Sequence, residues 1–373
     1  MPEFSLPAAA TPAATRLPSV FARHQAVVGA ALRAELDGKT LPIYDTLRYY
    51  MGWADINGGP INRSSQNGVA ENDSAQNPAE GKRLRPTLCL LACEAVGGDP
   101  ATALPAAAAI EMVHNFSLIH DDIEDGDRTR HHRPTLWVVW GEPVAIVAGN
   151  GLLVVADLAV HKLLAAGVST DTAVAAGHIL TERYLSMMEG QYLDIAYEGR
   201  TDVTVDEYLA MIERKTGALM KGAVELGAII GSGGASDSEH AVDGLRAVGD
   251  DLGRIFQIRD DVLGIWGGPA LGKPVGADIK RKKNSLPVVH VFEHARDAQR
   301  SELQRIYTGD EIEGDDVERV LEVMDALGTR NWCQDQAEIR WEQAHERLAS
   351  LRLASGAAAE LLELGEYLLI REA

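Results

Sequence analysis

Apolar residues recur at intervals of three and four along most of this chain, and sustained two-residue alternation is missing. The helical period runs through residues 20 to 37, 86 to 96, 104 to 125, 142 to 166, 172 to 198, 205 to 231, 238 to 265, 284 to 295 and 333 to 368. A chain patterned in this way has no alternating face to offer a sheet. It buries the apolar faces of long helices against one another, so the expected fold class is all-α, a helical bundle. Three breaks interrupt the pattern. Residues 57 to 80, NGGPINRSSQNGVAENDSAQNPAE, have the composition of a disordered surface insertion. GSGGASDSE at 231 to 239 reads as an interhelix loop, and 267 to 284 is too charged to be a mere linker. Residues 1 to 19 are expected to form a flexible tail, and 20 to 373 a single domain.

Two carboxylate pairs lie at the ends of apolar stretches: Asp121-Asp122 in HDDIEDGD and Asp260-Asp261 in FQIRDDVLG. Carboxylates about 6 Å apart repel by roughly 3 kcal/mol at an effective dielectric of about 20. Several in one cleft raise each other's pKa unless a cation joins them. Mg²⁺ meets that need with one or two protein carboxylates, completing its shell from water and substrate phosphates. Asp121 and Asp125 are four residues apart, so one helix offers both on one face, a turn apart. A solvated acidic helix end is the competing reading for either pair alone. A calcium loop is excluded, because Ile123 and His132 fall where its third and closing ligands belong.

With 35 Lys and Arg against 55 Asp and Glu, the formal charge of −20 argues against nucleic acid or an anionic membrane surface as partner. It also repels a phosphorylated substrate, which would need local basic clusters to override the field. Such clusters are present. GKRLRP at 81 to 86 opens a helix, where backbone N–H groups favour anions. Arg128, Arg130, His131, His132 and Arg133 follow the first acidic motif, Lys215-Thr216 lies in ERKTGALMKGAVELG, and Lys273, Lys280 and Lys283 lie just beyond the second pair. Each cluster alone reads as a solvated face. Together they describe a cleft in which carboxylates from two helices hold Mg²⁺ and phosphates bridge metal to Lys and Arg. Cys89, Cys93 and Cys333 lack CxxC spacing and read as buried free thiols of a reducing cytoplasm. No basic start followed by an apolar core marks a secretory signal. Asp157 and His161 interrupt the longest apolar stretch, so no transmembrane span is expected.

At this level of detail the chain resembles the trans-type isoprenyl diphosphate synthases of the polyprenyl synthetase family. The motifs GKRLRP, EMVHNFSLIHDDIED, RPTLW, GQYLD, KTGALM, FQIRDDVLG and GKPVGADIKRKKNSLPVV occur in family order between residues 81 and 295. The resemblance implies an all-α bundle around a deep cavity, as a homodimer. It also implies a prenyltransferase reaction: an allylic diphosphate (dimethylallyl, geranyl or farnesyl) ionises, its carbocation adds to isopentenyl diphosphate, and a proton is lost. By position, Asp121, Asp125 and Asp260 would ligate Mg²⁺, about three ions with substrate bound, with Asp122 and Asp261 beside them. Arg130, Lys215 and Lys273 would hold the allylic diphosphate. Lys82, Arg85 and His114 would hold isopentenyl diphosphate, with Lys283 a further basic wall residue. Thr216, Gln191, Asp194 and Gln257 would orient the allylic diphosphate, the metal waters and the cation. On residue type alone, Gln191 and Gln257 serve equally well as partners for buried backbone groups.

The chain departs from the family pattern at two points. Gly264 stands where the second motif commonly ends in Asp, and His131 stands where a second arginine is usual. Ser117 and Phe116, four and five residues before the first motif, resemble the arrangement of archaeal-type geranylgeranyl synthases. That implies a C20 product with Phe116 as pocket floor, C15 and C25 being the alternatives, although an ideal helical wheel places Ser117 more directly beneath Asp121. A class I terpene cyclase would share the fold but needs an Asn-Asp-x-x-Ser-x-x-x-Glu motif. The nearest string, NDSAQNPAE at 72 to 80, has Gln76 in place of Ser. A non-catalytic subunit of a heteromeric synthase should have lost an acidic motif, and both pairs are retained.

Overall fold

The structure, a computed structural model, describes residues 17–59, 61, 82–235, 238–267 and 274–371. The expected insertion lies almost wholly outside the described residues, as do Lys273 and most of the expected tail. The helices open with α1 (Ser19–Leu36) and α2 (Pro42–Tyr50). The bundle is then built by α3 (Leu84–Ala95), α4 (Pro100–Glu124), α6 (Glu142–His161), α7 (Thr170–Tyr197), α9 (Ala218–Gly231) and α10 (Glu239–Trp266), with the short α5 (Leu136–Trp140) and α8 (Val205–Ile212) between them. A second group follows: α11 (Ala277–Lys280), α12 (Leu286–His294), α13 (Asp297–Thr308), α14 (Gly314–Ala326), α15 (Thr329–Ser350) and α16 (Ser355–Ile370). Local chemistry sets several starts. Asp99 accepts from the Ala101 N–H at 2.9 Å ahead of Pro100, and Thr204 and Glu207 form a reciprocal capping box on α8.

The core forms where small residues let helix axes approach. Gly227 and Gly231 sit one turn apart on α9 and face α3. A β-carbon on Gly227 would lie 1.9 Å from the Cys89 carbonyl oxygen, and one on Gly231 would lie 2.5 Å from that of Cys93. The two backbones therefore touch, and the Cys89 and Cys93 thiols are sealed in the core. Burial pushes the Cys93 thiol up to about 11. The helix α10 contributes to all three apolar clusters: through Leu245, Val248, Leu252 and Ile255 to the main one, and through Ile265 and Ile258 to the others.

The all-α class is as the periodicity requires, but several boundaries differ. Among the described residues the only strands are a two-residue hairpin, Thr129–Arg130 with Arg133–Pro134. The helices α2, α5, α11, α13 and α14 are additions. In α13 just Leu303 and Ile306 are buried, too sparse a stripe to show periodicity. The expected helix over 333 to 368 is two helices. Leu351 turns extended, and the Ala354 N–H donates to the Ala95 carbonyl 2.8 Å away, a contact the apolar spacing cannot reveal. The segment 205 to 231 is interrupted by a π turn, Glu213–Gly217. Asp260 and Asp261 lie inside α10, which continues to Trp266, rather than at its end. Among the described residues, α6 alone is long and apolar enough to cross a membrane by length and composition. Ala145, Ala148, Leu152 and Ala156 are buried, while Val147, Val154 and Leu158 are exposed.

Gly227→Ala should cost about 3 kcal/mol, because the methyl group meets backbone that cannot retreat. Gly177→Ala on α7 has its nearest obstacle, a Val160 methyl, at 3.8 Å and should be neutral or stabilising by helix propensity. Urea midpoints of the two variants test this, and equal midpoints would mean that α3 and α9 do not touch at Gly227.

Candidate active site

The first acidic wall is the C-terminal turn of α4. The Asp125 N–H donates to the Asp121 carbonyl at 2.8 Å, so helical spacing persists through the cap and both carboxylates share one face. Asp122 is buried. Its Oδ1 accepts from Arg130 Nε at 2.7 Å, while its Oδ2 is buried without a partner. Burial pushes Asp121 up to about 7, with Glu124 and Asp125 adding to the shift and Lys215 opposing it. Burial likewise pushes Asp122 up to about 6 against the pull of Arg130. The hairpin returns Arg130 to the wall through a two-residue turn, His131 and His132, with φ of 50° and 62°. Such a turn normally takes Asn-Gly, and L-residues there are strained by roughly 1–2 kcal/mol each. Arg133 anchors the hairpin, donating to the Tyr49 and Ala54 carbonyls at 2.7 and 2.9 Å.

The second wall is α10. Asp261 is buried and fully engaged: Tyr208 donates its hydroxyl to Oδ2 at 2.5 Å, the Leu286 N–H donates to Oδ2 at 3.0 Å, and Gln257 Nε2 donates to Oδ1 at 2.9 Å. Even so, burial pushes it up to about 6. Thr216 Oγ1 donates to Gln257 Oε1 at 2.7 Å, which completes a Thr216–Gln257–Asp261–Tyr208 chain. Asp261 therefore braces α8 and α12 against α10. Asp260, by contrast, is exposed and pairs with Arg371, whose guanidinium lies 4.1 Å from the centre of the Phe256 ring.

Two lysines serve the cleft, and Lys283 acts on both walls. Lys215 belongs to the π turn, which is clamped between two glycines. A β-carbon on Gly190 of α7 would lie 2.2 Å from Lys215 N, and one on Gly253 of α10 would lie 2.6 Å from the Gly217 Cα. From there Lys215 pairs with Asp194 and offsets the charges of Asp121 and Asp125. Lys283 reaches solvent at the cleft mouth. Burial pulls its pKa down, but the surrounding carboxylates of Asp261, Asp278, Asp194 and Asp260 outweigh that and leave it raised. It also acts on Asp125, so one ammonium group couples the two walls. Gln191 Nε2 donates to Glu124 Oε2 at 2.6 Å. Neither Gln191 nor Gln257 is spent on buried backbone.

A basic region adjoins the second wall. Arg85 is buried with its Nε unpartnered; burial lowers its pKa, while Glu111 and Asp260 raise it. A buried guanidinium N–H without a protein partner is available to an anion. His114 is driven well below its usual range by burial and by Arg85, Arg130 and His131, so its imidazole is neutral. Burial and Arg130 also lower His131, which makes it a weak substitute for an arginine at neutral pH. Lys82 donates to the Tyr367 hydroxyl at 2.9 Å. His114, Arg130 and His131 line one cavity with Tyr50 and Glu111. Below the first wall Phe116 is buried edge-on to His120, ring centres 4.8 Å apart, and Ser117 Oγ donates to the His114 carbonyl at 2.8 Å.

Residues not singled out from the sequence also shape the site: Tyr208, Glu111, Glu124, Tyr367 and Arg371. Glu111, one turn before His114 in EMVH, carried a legible spacing signal; Tyr208 and Arg371 carried none. Among the described residues no three His, Cys, Asp or Glu side chains converge as a closed metal cage. The donors present suit Mg²⁺ shared with substrate oxygens. Asp121 holds a proton near neutrality that a cation would displace, and Asp122 Oδ2 waits unpaired.

A helical bundle presenting two facing acidic walls, with basic residues between and beside them, is the architecture of isoprenoid synthases. Residues 71–324 match the polyprenyl synthetase family model. The chain is 36% identical to a (2E,6E)-farnesyl diphosphate synthase of Mycobacterium tuberculosis over 361 residues, 96% of this chain and 94% of that one. It is also 36% identical to a geranylgeranyl diphosphate synthase of the same organism over 324 residues, 86% of each. The crystal structure of a polyprenyl synthetase from Streptomyces coelicolor superposes with a TM-score of 0.80 at 34% identity, covering 94% of this chain and 98% of that one. The chain belongs to the polyprenyl synthetase family, and it is a trans-prenyltransferase.

Because the Asp121 carboxyl titrates near 7 in the folded protein and near 4 in an unfolded chain, the folded state binds the extra proton between those values. Stability of the metal-free protein should therefore fall as pH rises from 4 through 7. Melting temperatures in EDTA at pH 5 and pH 8 test this: Asp121→Asn should reduce the difference, Asp122 and Asp261 keeping a share of it, and Mg²⁺ should restore stability at pH 8.

Proposed function

We propose that this chain condenses isopentenyl diphosphate with an allylic diphosphate and that its main product is geranylgeranyl diphosphate. The observation that carries the reading is the coupling of two acidic walls through Lys283, with Lys215 against the first wall and buried Arg85, its Nε without a protein partner, close by. Asp121, Asp125 and Asp260 would hold Mg²⁺, which supplies positive charge to the departing diphosphate. Arg130 and Lys215 hold that diphosphate from the side, with Lys273 the third cation assigned to it by motif. Arg85, the neutral His114 and Lys82 seat isopentenyl diphosphate with its double bond toward the ionising carbon. Thr216 and Gln257 orient their dipoles toward the cation, braced through Asp261 so that they need no reorganisation as charge develops. The apolar wall beneath the first motif excludes water that would quench the cation.

The growing chain descends alongside α4, and buried Phe116 closes its path at C20. A C15 product is the second reading, supported by the relative named as a farnesyl diphosphate synthase. We further take residues 20–373 as one domain, because α10 serves all three clusters. The molecule works as a homodimer in which a second copy covers the exposed apolar Val147, Val154 and Leu158 of α6 and Val174 and Leu185 of α7.

Incubation with Mg²⁺, isopentenyl diphosphate and each allylic primer in turn, followed by product-length analysis, tests the function. Hydrocarbon released without isopentenyl diphosphate would instead mark a cyclase, and no product a silent subunit. Asp260→Asn should lower kcat by about a hundredfold or more. Phe116→Ala should shift products beyond the wild-type length, and an unchanged product would refute the floor assignment. Val154→Arg should give monomers by light scattering.

A further inference from the structure

Gly264 stands four residues after Asp260, one turn along the same face of α10. A second clamp like that of Asp121 and Asp125 would carry its other carboxylate there. The space is already occupied by a carboxylate from elsewhere. A β-carbon built on Gly264 would lie 2.0 Å from Oδ2 and 2.5 Å from Cγ of Asp278. Asp278 is buried on α11, which starts after Gly276 in the left-handed conformation (φ 72°). Gly264 itself is helical and has no positive φ to justify it. A glycine inside a helix costs about 1 kcal/mol relative to alanine, and the close approach of Asp278 supplies its reason.

The neighbours of Asp278 are those of the second wall. The Lys283 N–H donates to the Asp278 carbonyl at 2.9 Å, so the same short turn delivers both residues. The Lys283 ammonium lies in the combined field of Asp261, Asp278, Asp194 and Asp260, and Tyr208, bonded to Asp261, senses Asp278 as well.

We propose that Asp278 supplies, from α11, the third carboxylate of the second acidic wall, and that Gly264 is the space it needs. It is a positioning residue. Its oxygen rests where a side chain at 264 would begin, closer to the helix than an aspartate there would reach, so it sits behind Asp260 and orients Lys283 and metal-bound water. This inference rests on the metal-assisted reading of the site given above.

The test uses the full chain with Mn²⁺ and inorganic pyrophosphate, with metal binding read by electron paramagnetic resonance alongside melting temperature. Asp278→Asn should weaken Mn²⁺ binding about tenfold with little change in melting temperature. Gly264→Asp alone should weaken binding and lower the melting temperature, since two carboxylates then collide. The double variant Gly264→Asp with Asp278→Gly should bind Mn²⁺ within about threefold of the wild type. Wild-type affinity in Asp278→Asn, while Asp260→Asn loses binding, would overturn the inference and leave the metal site standing. If Asp278→Asn does not fold, the double variant decides: recovered binding supports the exchange, and a folded double variant that binds no Mn²⁺ refutes it. A wild-type chain that binds no Mn²⁺ with pyrophosphate would bring down the metal reading itself.

Discussion

Carboxylates crowded into a cleft of low polarity repel one another, and the side chains around this cleft are placed to offset that repulsion. Burial, the largest cause, leaves Asp121 raised to about 7 and Asp122 and Asp261 raised to about 6 even with their partners in place. Those partners differ. Asp122 receives Arg130, Asp261 receives three hydrogen bonds, and Asp121 shares Lys215 with Asp125 and Asp194. Asp121 is the least neutralised and sits beside the unpaired Oδ2 of Asp122. Asp121 therefore keeps an affinity for a proton or a cation.

That arrangement depends on close backbone contacts more than on the bulk of the core. The π turn bearing Lys215 and Thr216 fits between α7 and α10 because Gly190 and Gly253 have no side chains to obstruct it. A turn of this kind widens the helix by one residue and re-aims the side chains it carries, a common device at functional sites. Likewise the α3–α9 contact at Gly227 and Gly231 fixes the helix that presents Arg85. With a formal charge of −20 on the whole chain, these few placed cations create the local field that anionic substrates require.

Much of the site was legible in the sequence where its geometry is local. Asp121 and Asp125 share a helical face by spacing, and Arg130 reaches Asp122 across just eight residues. The apolar periodicity gave the all-α class and located most long helices. The misses have physical causes. The charged α13 buries too little to show a stripe, α14 carries a short one at Val317, Val320, Val323 and Met324 that is easily missed among its acidic residues, and the α15–α16 break is stabilised by a backbone bond to Ala95. The two acidic pairs look alike in sequence, yet Asp260 is exposed while Asp261 is spent on bracing three helices.

By itself the sequence determined the helical class, the shared face of Asp121 and Asp125 and the kinds of residue gathered around them, because helical periodicity turns spacing directly into geometry. Only the tertiary structure decided which carboxylate remains available on the second wall, where Lys283 points, and what fills the gap at Gly264. Those depend on contacts such as Tyr208 with Asp261, 53 residues apart, and Arg371 with Asp260, 111 apart. No local pattern encodes such pairs; they exist only once packing has brought distant helices within hydrogen-bonding reach.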